Sequence, residues 1–183
     1  MINFQEKGIR TSKYKMQSES GVKWIERVVE IQRVTKVCKG GKKLSFRVLV
    51  ITGNQMGQVG VGIGKADGIP QAISKGTLDA KRHLITIKLT KNKTITHLTI
   101  GNFGSAKAFL KPASEGTGVI AGSSIRIVLE LVGVKNILSK QLGSKSLLNN
   151  AQATICALKS LKNPADVARD RSISLENFYK RFY

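Results

Sequence analysis

Gly57-Gln58-Val59-Gly60-Val61-Gly62-Ile63-Gly64-Lys65-Ala66 alternates β-branched residues with glycine. A period of two is the period of a strand. One face of this strand carries no side chains, so another body can approach its backbone closely. Working backwards, Gly53-Asn54-Gln55-Met56-Gly57 reads as a turn. Before it, Leu44, Phe46, Val48 and Val50 alternate with Ser45, Arg47, Leu49 and Ile51, which predicts a second strand. Gly40-Gly41 is a further turn signal. Trp24 to Ile31 fits helix or strand, with its β-branched content favouring strand by its end. Working forwards, Pro70 suits the first turn of a helix. Ile69, Ala72, Ile73, Gly76, Ala80 and Leu84 recur at helical spacing, while Lys75, Lys81 and Arg82 lie off that stripe. The expectation is a β-β-β-α unit over about residues 24–84, a sheet with one covering helix.

A second unit is expected from near Ile85. Ile85, Ile87 and Leu89 alternate, Lys91-Asn92-Lys93 turns, and Ile95, Leu98 and Ile100 follow. Ala108 to Leu110 adds a strand, and a Gly/Ser-rich loop runs from Ala113 to Ser124. Ser123 or Ser124 is placed to cap a helix bearing Ile125, Val128, Leu129 and Val132. A strand at Asn136 to Leu142 precedes a last helix carrying Leu148, Ala151, Ile155, Leu158 and Leu161, which Pro164 is expected to stop.

The 183 residues carry 31 Lys+Arg against 11 Asp+Glu, a net charge of +20. Apolar residues make up 41%, enough for a core, so the chain is not a disordered basic tail. No apolar run nears the roughly 18 residues of a membrane span. Cys38 and Cys156 lie far apart without metal-ligand spacing, and they indicate a reducing compartment. The start of the chain is polar, with no apolar signal segment. Glu6 and Glu19 are acids that a transit peptide would tend to avoid. Most of the positive residues are lysine, which fits an AT-rich coding genome.

Such a charge points to a polyanion, nucleic acid first. The positives form two acid-free runs. Arg33, Lys36, Lys39, Lys42, Lys43 and Arg47 make the first; Lys81, Arg82, Lys88, Lys91, Lys93, Lys107 and Lys111 make the second. In the first, a Gly-Gly turn can bring Lys39, Lys42 and Lys43 and bare backbone N–H groups against phosphate. Aromatics are only 5% and few lie between the charges, which favours recognition of structured RNA by shape and backbone over stacking on single strands. Catalytic patterns fail. The run at 60–64 lacks the third glycine of a dinucleotide loop, and Gly64-Lys65 is followed by Ala66 where a P-loop needs Ser or Thr. The loop Gly116 to Ser124 resembles a small-molecule-kinase anion site, but only Glu115 and Glu130 stand near it to hold magnesium or act as base.

Three motifs resemble the small-subunit ribosomal protein five family, bacterial or organellar type. Arg33-Val34-Thr35-Lys36-Val37-Cys38-Lys39-Gly40-Gly41 resembles its first-loop signature, and residues 57–66 its glycine-rich strand. Lys111-Pro112-Ala113-Ser114-Glu115-Gly116-Thr117-Gly118-Val119-Ile120-Ala121-Gly122, continuing at Val132 to Leu138, resembles its central signature. The resemblance covers about residues 24–162. It implies an α+β fold of two small domains. The first, residues 22–86, is a β-β-β-α double-stranded-RNA-binding-like domain. The second, residues 87–163, is a β-α two-layer domain shared by fold with some kinases. A flexible basic leader at 1–21 and a basic aromatic tail at 164–183 flank them.

The resemblance also implies a structural constituent of the small ribosomal subunit, without catalytic residues, cofactor or metal, and not a homo-oligomer. Its partners would be small-subunit ribosomal RNA, small-subunit proteins four and eight, and messenger RNA where it enters its channel. Ribosomal RNA would meet Arg33, Thr35, Lys36, Lys39, Gly40, Gly41, Lys42, Lys43, Arg47, Gly60, Gly62, Gly64, Lys65 and Lys111. Protein four would meet Glu115, Gly116, Thr117, Gly118, Gly122, Ser123 and Arg126, a contact that loosens as the subunit closes on a correct codon pairing and so helps set accuracy. A plastid ribosome is favoured over a bacterial cytoplasmic one. The alternative is a stand-alone double-stranded-RNA-binding module. The chain departs from the family pattern at Gln58, where many members have Arg, at Ser146-Leu147, where Asn-Pro is usual, and near Gln152, where an Arg is expected.

Overall fold

The strands flanking the glycine repeat form one antiparallel sheet in the computed structural model, which describes residues 23–90, 92–174 and 177. The expected leader and the tail aromatics Phe178, Tyr179, Phe182 and Tyr183 lie outside the described residues. The sheet runs β1 (Ile25–Cys38), β2 (Gly41–Gly53), β3 (Gln58–Ala66), β4 (Ile85–Thr86). The stretch after Trp24 is therefore strand. Ile85, where the alternation of the second unit is expected to begin but which falls inside the expected first domain of 22–86, closes this sheet opposite Val59.

Helix α1 (Ile69–Arg82) lies on the glycine face, with Pro70 in its first turn as expected. Side chains added to that face would strike it. A Cβ at Gly60 would stand 2.1 Å from the carbonyl oxygen of Ala80, one at Gly62 2.3 Å from the nitrogen of Ala80, and one at Gly64 1.8 Å from the carbonyl oxygen of Ala72. All three glycines are buried. The body that approaches this strand is the protein's own helix. This corrects the expectation that Gly60, Gly62 and Gly64 meet RNA: no surface remains there for RNA to touch.

The opposite face of the sheet is also covered. Leu49, Ile51, Val59 and Val61 share one buried cluster with Ile125, Val128 and Leu129 of α2 (Ser123–Val132). The turn between β2 and β3 docks on the end of that helix. Gln55 N–H donates to the carbonyl of Leu131 at 2.9 Å, and Gly57 N–H to that of Val132 at 2.8 Å. Carbonyls in the last turn of a helix lack helical partners, and here the other unit supplies them. Burial on both faces explains why β2 is buried without a break from Val48 to Gly53, where one-sided packing would alternate.

The second sheet runs β5 (Thr99–Phe103), β6 (Ala106–Pro112), β8 (Ile137–Gly143), β7 (Val119–Ile120), with only β7 and β8 parallel. Helix α3 (Leu147–Lys159) covers its inner face together with α2. The expected α+β class holds. Three local expectations are corrected. Ile95 and Leu98 precede β5 and lie in no strand. Gly122 stands at the start of α2, and no serine side chain caps it. Pro164 opens a further helix, α4 (Pro164–Asp170), whereas α3 has already ended at Lys159.

Candidate nucleic-acid interface

β3 reaches β2 only as far as Phe46, which pairs with Ala66. Beyond it, Val34–Cys38 and Gly41–Ser45 pair with each other alone, with Arg33 opposite Phe46 at the base. The segment expected as a loop is thus a two-stranded ribbon that leaves the sheet, closed by a two-residue turn at Lys39-Gly40. Gly40 has φ +84°, a left-handed conformation that a side chain would strain. Arg33, Thr35, Lys36, Lys39, Gly40, Gly41, Lys42 and Lys43 are all exposed.

The register sets Lys36 directly opposite Lys43. Like charges facing each other across a strand pair repel. At the base of the ribbon the conflict repeats: Arg47 pairs with Lys65, which is exposed. Among the described residues no salt bridge offsets any of these charges. Repulsion left standing between exposed side chains is a local conflict of the kind that marks a site built for an external anion.

The second basic run is divided among its described members, and Lys91 lies outside the described residues. Lys81 turns inward, its Nζ 3.0 Å from the carboxylate of buried Glu26, so a stretch without acids in sequence meets one in space. Lys111 lies with Lys107 on β6, both exposed. Lys140 on β8, opposite Phe109, belongs to the same outward sheet face. No local signal marks Lys140 as joining them, because the Phe109–Lys140 pairing spans about thirty residues. Gln58, the departure from the family pattern, accepts from Asn54 Nδ2 at 2.8 Å and fastens the β2–β3 turn.

The residues expected at a protein contact cluster around the start of α2. Glu115, Gly116, Ser123 and Arg126 are exposed, while Thr117, Gly118 and Gly122 are half-buried. The N–H groups of Gly116 and Gly118 both donate to Asn136 Oδ1, at 3.2 and 3.3 Å. Those two donors are therefore already engaged, whereas a kinase-type anion loop would turn them to phosphate.

Arg126 Nε donates to Glu130 at 2.8 Å, and Arg27 of β1 pairs with the other oxygen of that carboxylate. Burial opposes the charge on Glu130 and is the largest single influence. The hydrogen bonds and charges of Arg126 and Arg27 together outweigh it, and the pKa falls below the ordinary value. A carboxylate held below its unfolded pKa stabilises the fold above that pKa, and the contribution is lost as pH falls through the lowered value. Glu130→Gln should cost about 1 kcal/mol at neutral pH, since it leaves the half-buried Arg27 guanidinium without a carboxylate to balance its charge. Urea unfolding at stepped pH checks this: the gap between the two proteins should close below the ordinary glutamate range, and a pH-independent gap would contradict it.

Comparison with known proteins agrees with this architecture. The N-terminal domain of ribosomal protein S5 matches residues 24–88, and its C-terminal domain matches residues 101–171. The small ribosomal subunit protein uS5 of Microcystis aeruginosa is 55% identical over 163 residues, covering 89% of this chain and 94% of that protein. Its counterpart in Synechocystis is 56% identical over 156 residues, 85% and 90%. The uS5c protein of Porphyra purpurea is 54% identical over 158 residues, 86% and 91%. With both domains matched and more than half the residues shared over most of each relative's length, the chain belongs to the ribosomal protein S5 family, bacterial and organellar type.

Proposed function

We propose that this chain is a structural constituent of the small ribosomal subunit that grips folded ribosomal RNA with the Arg33–Ser45 ribbon. The observation that carries this is the exposed pair Lys36 and Lys43, opposed in register and without a salt bridge among the described residues. Arg47 and Lys65 extend the grip to its base, and Lys111 belongs to a second contact on the outer face of the second sheet. Small-subunit proteins four and eight and messenger RNA entering its channel are the other partners. The lysine-rich composition fits a plastid ribosome.

The double cover of the first sheet favours this reading over a stand-alone RNA-binding module. Cut free of α2, the first unit would expose Leu49, Ile51, Val59 and Val61 as one apolar face.

In this reading the segment Glu115–Arg126 meets protein four and helps set accuracy. Weakening that contact eases closure of the subunit on incorrect codons. Arg126→Gln in reconstituted small subunits should raise misreading about two- to fivefold, the size of one surface ion pair. An error rate equal to that of the wild type would contradict the assignment.

A further inference from the structure

Asn136 is buried immediately before β8, between two loops that lie far from it in sequence. Its Oδ1 accepts from the N–H groups of Gly116 and Gly118, and its Nδ2 donates to the carbonyl of Asn92 at 3.2 Å. The neighbouring backbone repeats the pattern. Thr94 Oγ1 donates to the carbonyl of Asn136 at 2.6 Å, Lys135 N–H to that of Lys93 at 2.8 Å, and Ile137 N–H to that of Gly118 at 3.0 Å. One carboxamide thus ties the 116–118 loop to the turn at Asn92–Thr94, which connects the two sheets.

We propose that Asn136 is the positioning residue of the Gly116–Gly118 loop, holding it in the form it presents to its partner protein. This rests on the proposed role of that loop. Gly116 and Gly118 have φ +88° and +76°, and a Cβ on either would point into open space. Neither position has a side chain of its own to anchor it, so their order leans on their hydrogen bonds. Two donors converging on one oxygen form a nest, a concavity that fits any acceptor. Asn136 fills it from inside and gives the loop a single shape. The same side chain couples loop and turn: a partner that shifts Gly118 pulls, through Asn136, on Asn92.

The two ends of the carboxamide can be separated by substitution. Asn136→Ala removes both. Asn136→Asp keeps the acceptor for Gly116 and Gly118 and replaces the donor to Asn92 with an oxygen, which repels that carbonyl. Amide hydrogen exchange on the full chain, with Ile51 in the first sheet as internal reference, distinguishes positioning from general destabilisation. In Asn136→Ala, Gly116 and Gly118 should exchange on the order of tenfold faster, with Ile51 unchanged. In Asn136→Asp, both glycines should stay protected while exchange rises around Thr94. Unchanged glycine exchange in Asn136→Ala, acceleration equal to that of Ile51, or loss of glycine protection in Asn136→Asp would each overturn the proposal. The exchange result stands apart from the function of the loop, which the misreading rate of Arg126→Gln tests separately.

Discussion

Replacing Gly62 or Gly64 with alanine should unfold the first sheet from its helix. At Gly64 the new methyl would sit 1.8 Å from the carbonyl oxygen of Ala72, with the nitrogen of Gly76 at 2.6 Å. At Gly62 it would meet backbone of both Gly76 and Ala80 within 2.3 Å. These are main-chain atoms of a helix, and no side chain can swing aside to relieve the contact. The helix has no slack either, because Gly76 already lies so close that its own Cβ would stand 2.8 Å from Val50. Overpacking a core usually costs about 1–3 kcal/mol, and a contact with rigid backbone on both sides belongs at or above the upper end, about 3 kcal/mol or more. Thermal unfolding of Gly64→Ala against wild type checks this. A variant as stable as wild type but defective in RNA binding would instead support the expectation that these glycines face RNA.

Changing Lys39, Lys42 and Lys43 together to alanine should have the opposite signature. All three are exposed, and none makes a salt bridge among the described residues. Their removal relieves the repulsion at Lys36, so stability should hold or rise slightly. Affinity for small-subunit RNA should fall steeply. Each phosphate contact releases about 0.9 counterion, so three lost contacts weaken binding on the order of a hundredfold near 0.15 M salt. Equilibrium binding of wild type and variant to the RNA, with a melting curve on each protein, reads both effects together.

Both effects are only partly legible in the sequence. The glycine alternation at 57–66 showed that something approaches that strand, because the absence of side chains is visible in one line of residues. It did not show what approaches: the helix that does so begins only three residues after Ala66, and a phosphate fits the same pattern. The strand alternation around Val48–Ile51 was legible, but the second cover over Leu49 and Ile51 comes from α2, more than seventy residues away. The charge of the ribbon was legible as an acid-free run. Its force lies in the register, which opposes Lys36 to Lys43 and Arg47 to Lys65, and register is a property of two strands together. The candidate protein contact was found through the resemblance of its loop to the family signature. Asn136 left no local signal, because its hydrogen-bond partners stand 18, 20 and 44 positions away.

The claim on which the rest depends is that an uncompensated basic ribbon holds this chain to RNA through phosphate. The dependence of binding on salt tests it most directly. The logarithm of the association constant with small-subunit RNA should fall linearly with the logarithm of salt concentration. The slope for the Lys39, Lys42 and Lys43 triple variant should be shallower than that for wild type by about three units, roughly one for each lysine. Parallel lines for the two proteins would mean that these lysines touch no phosphate and would contradict the claim.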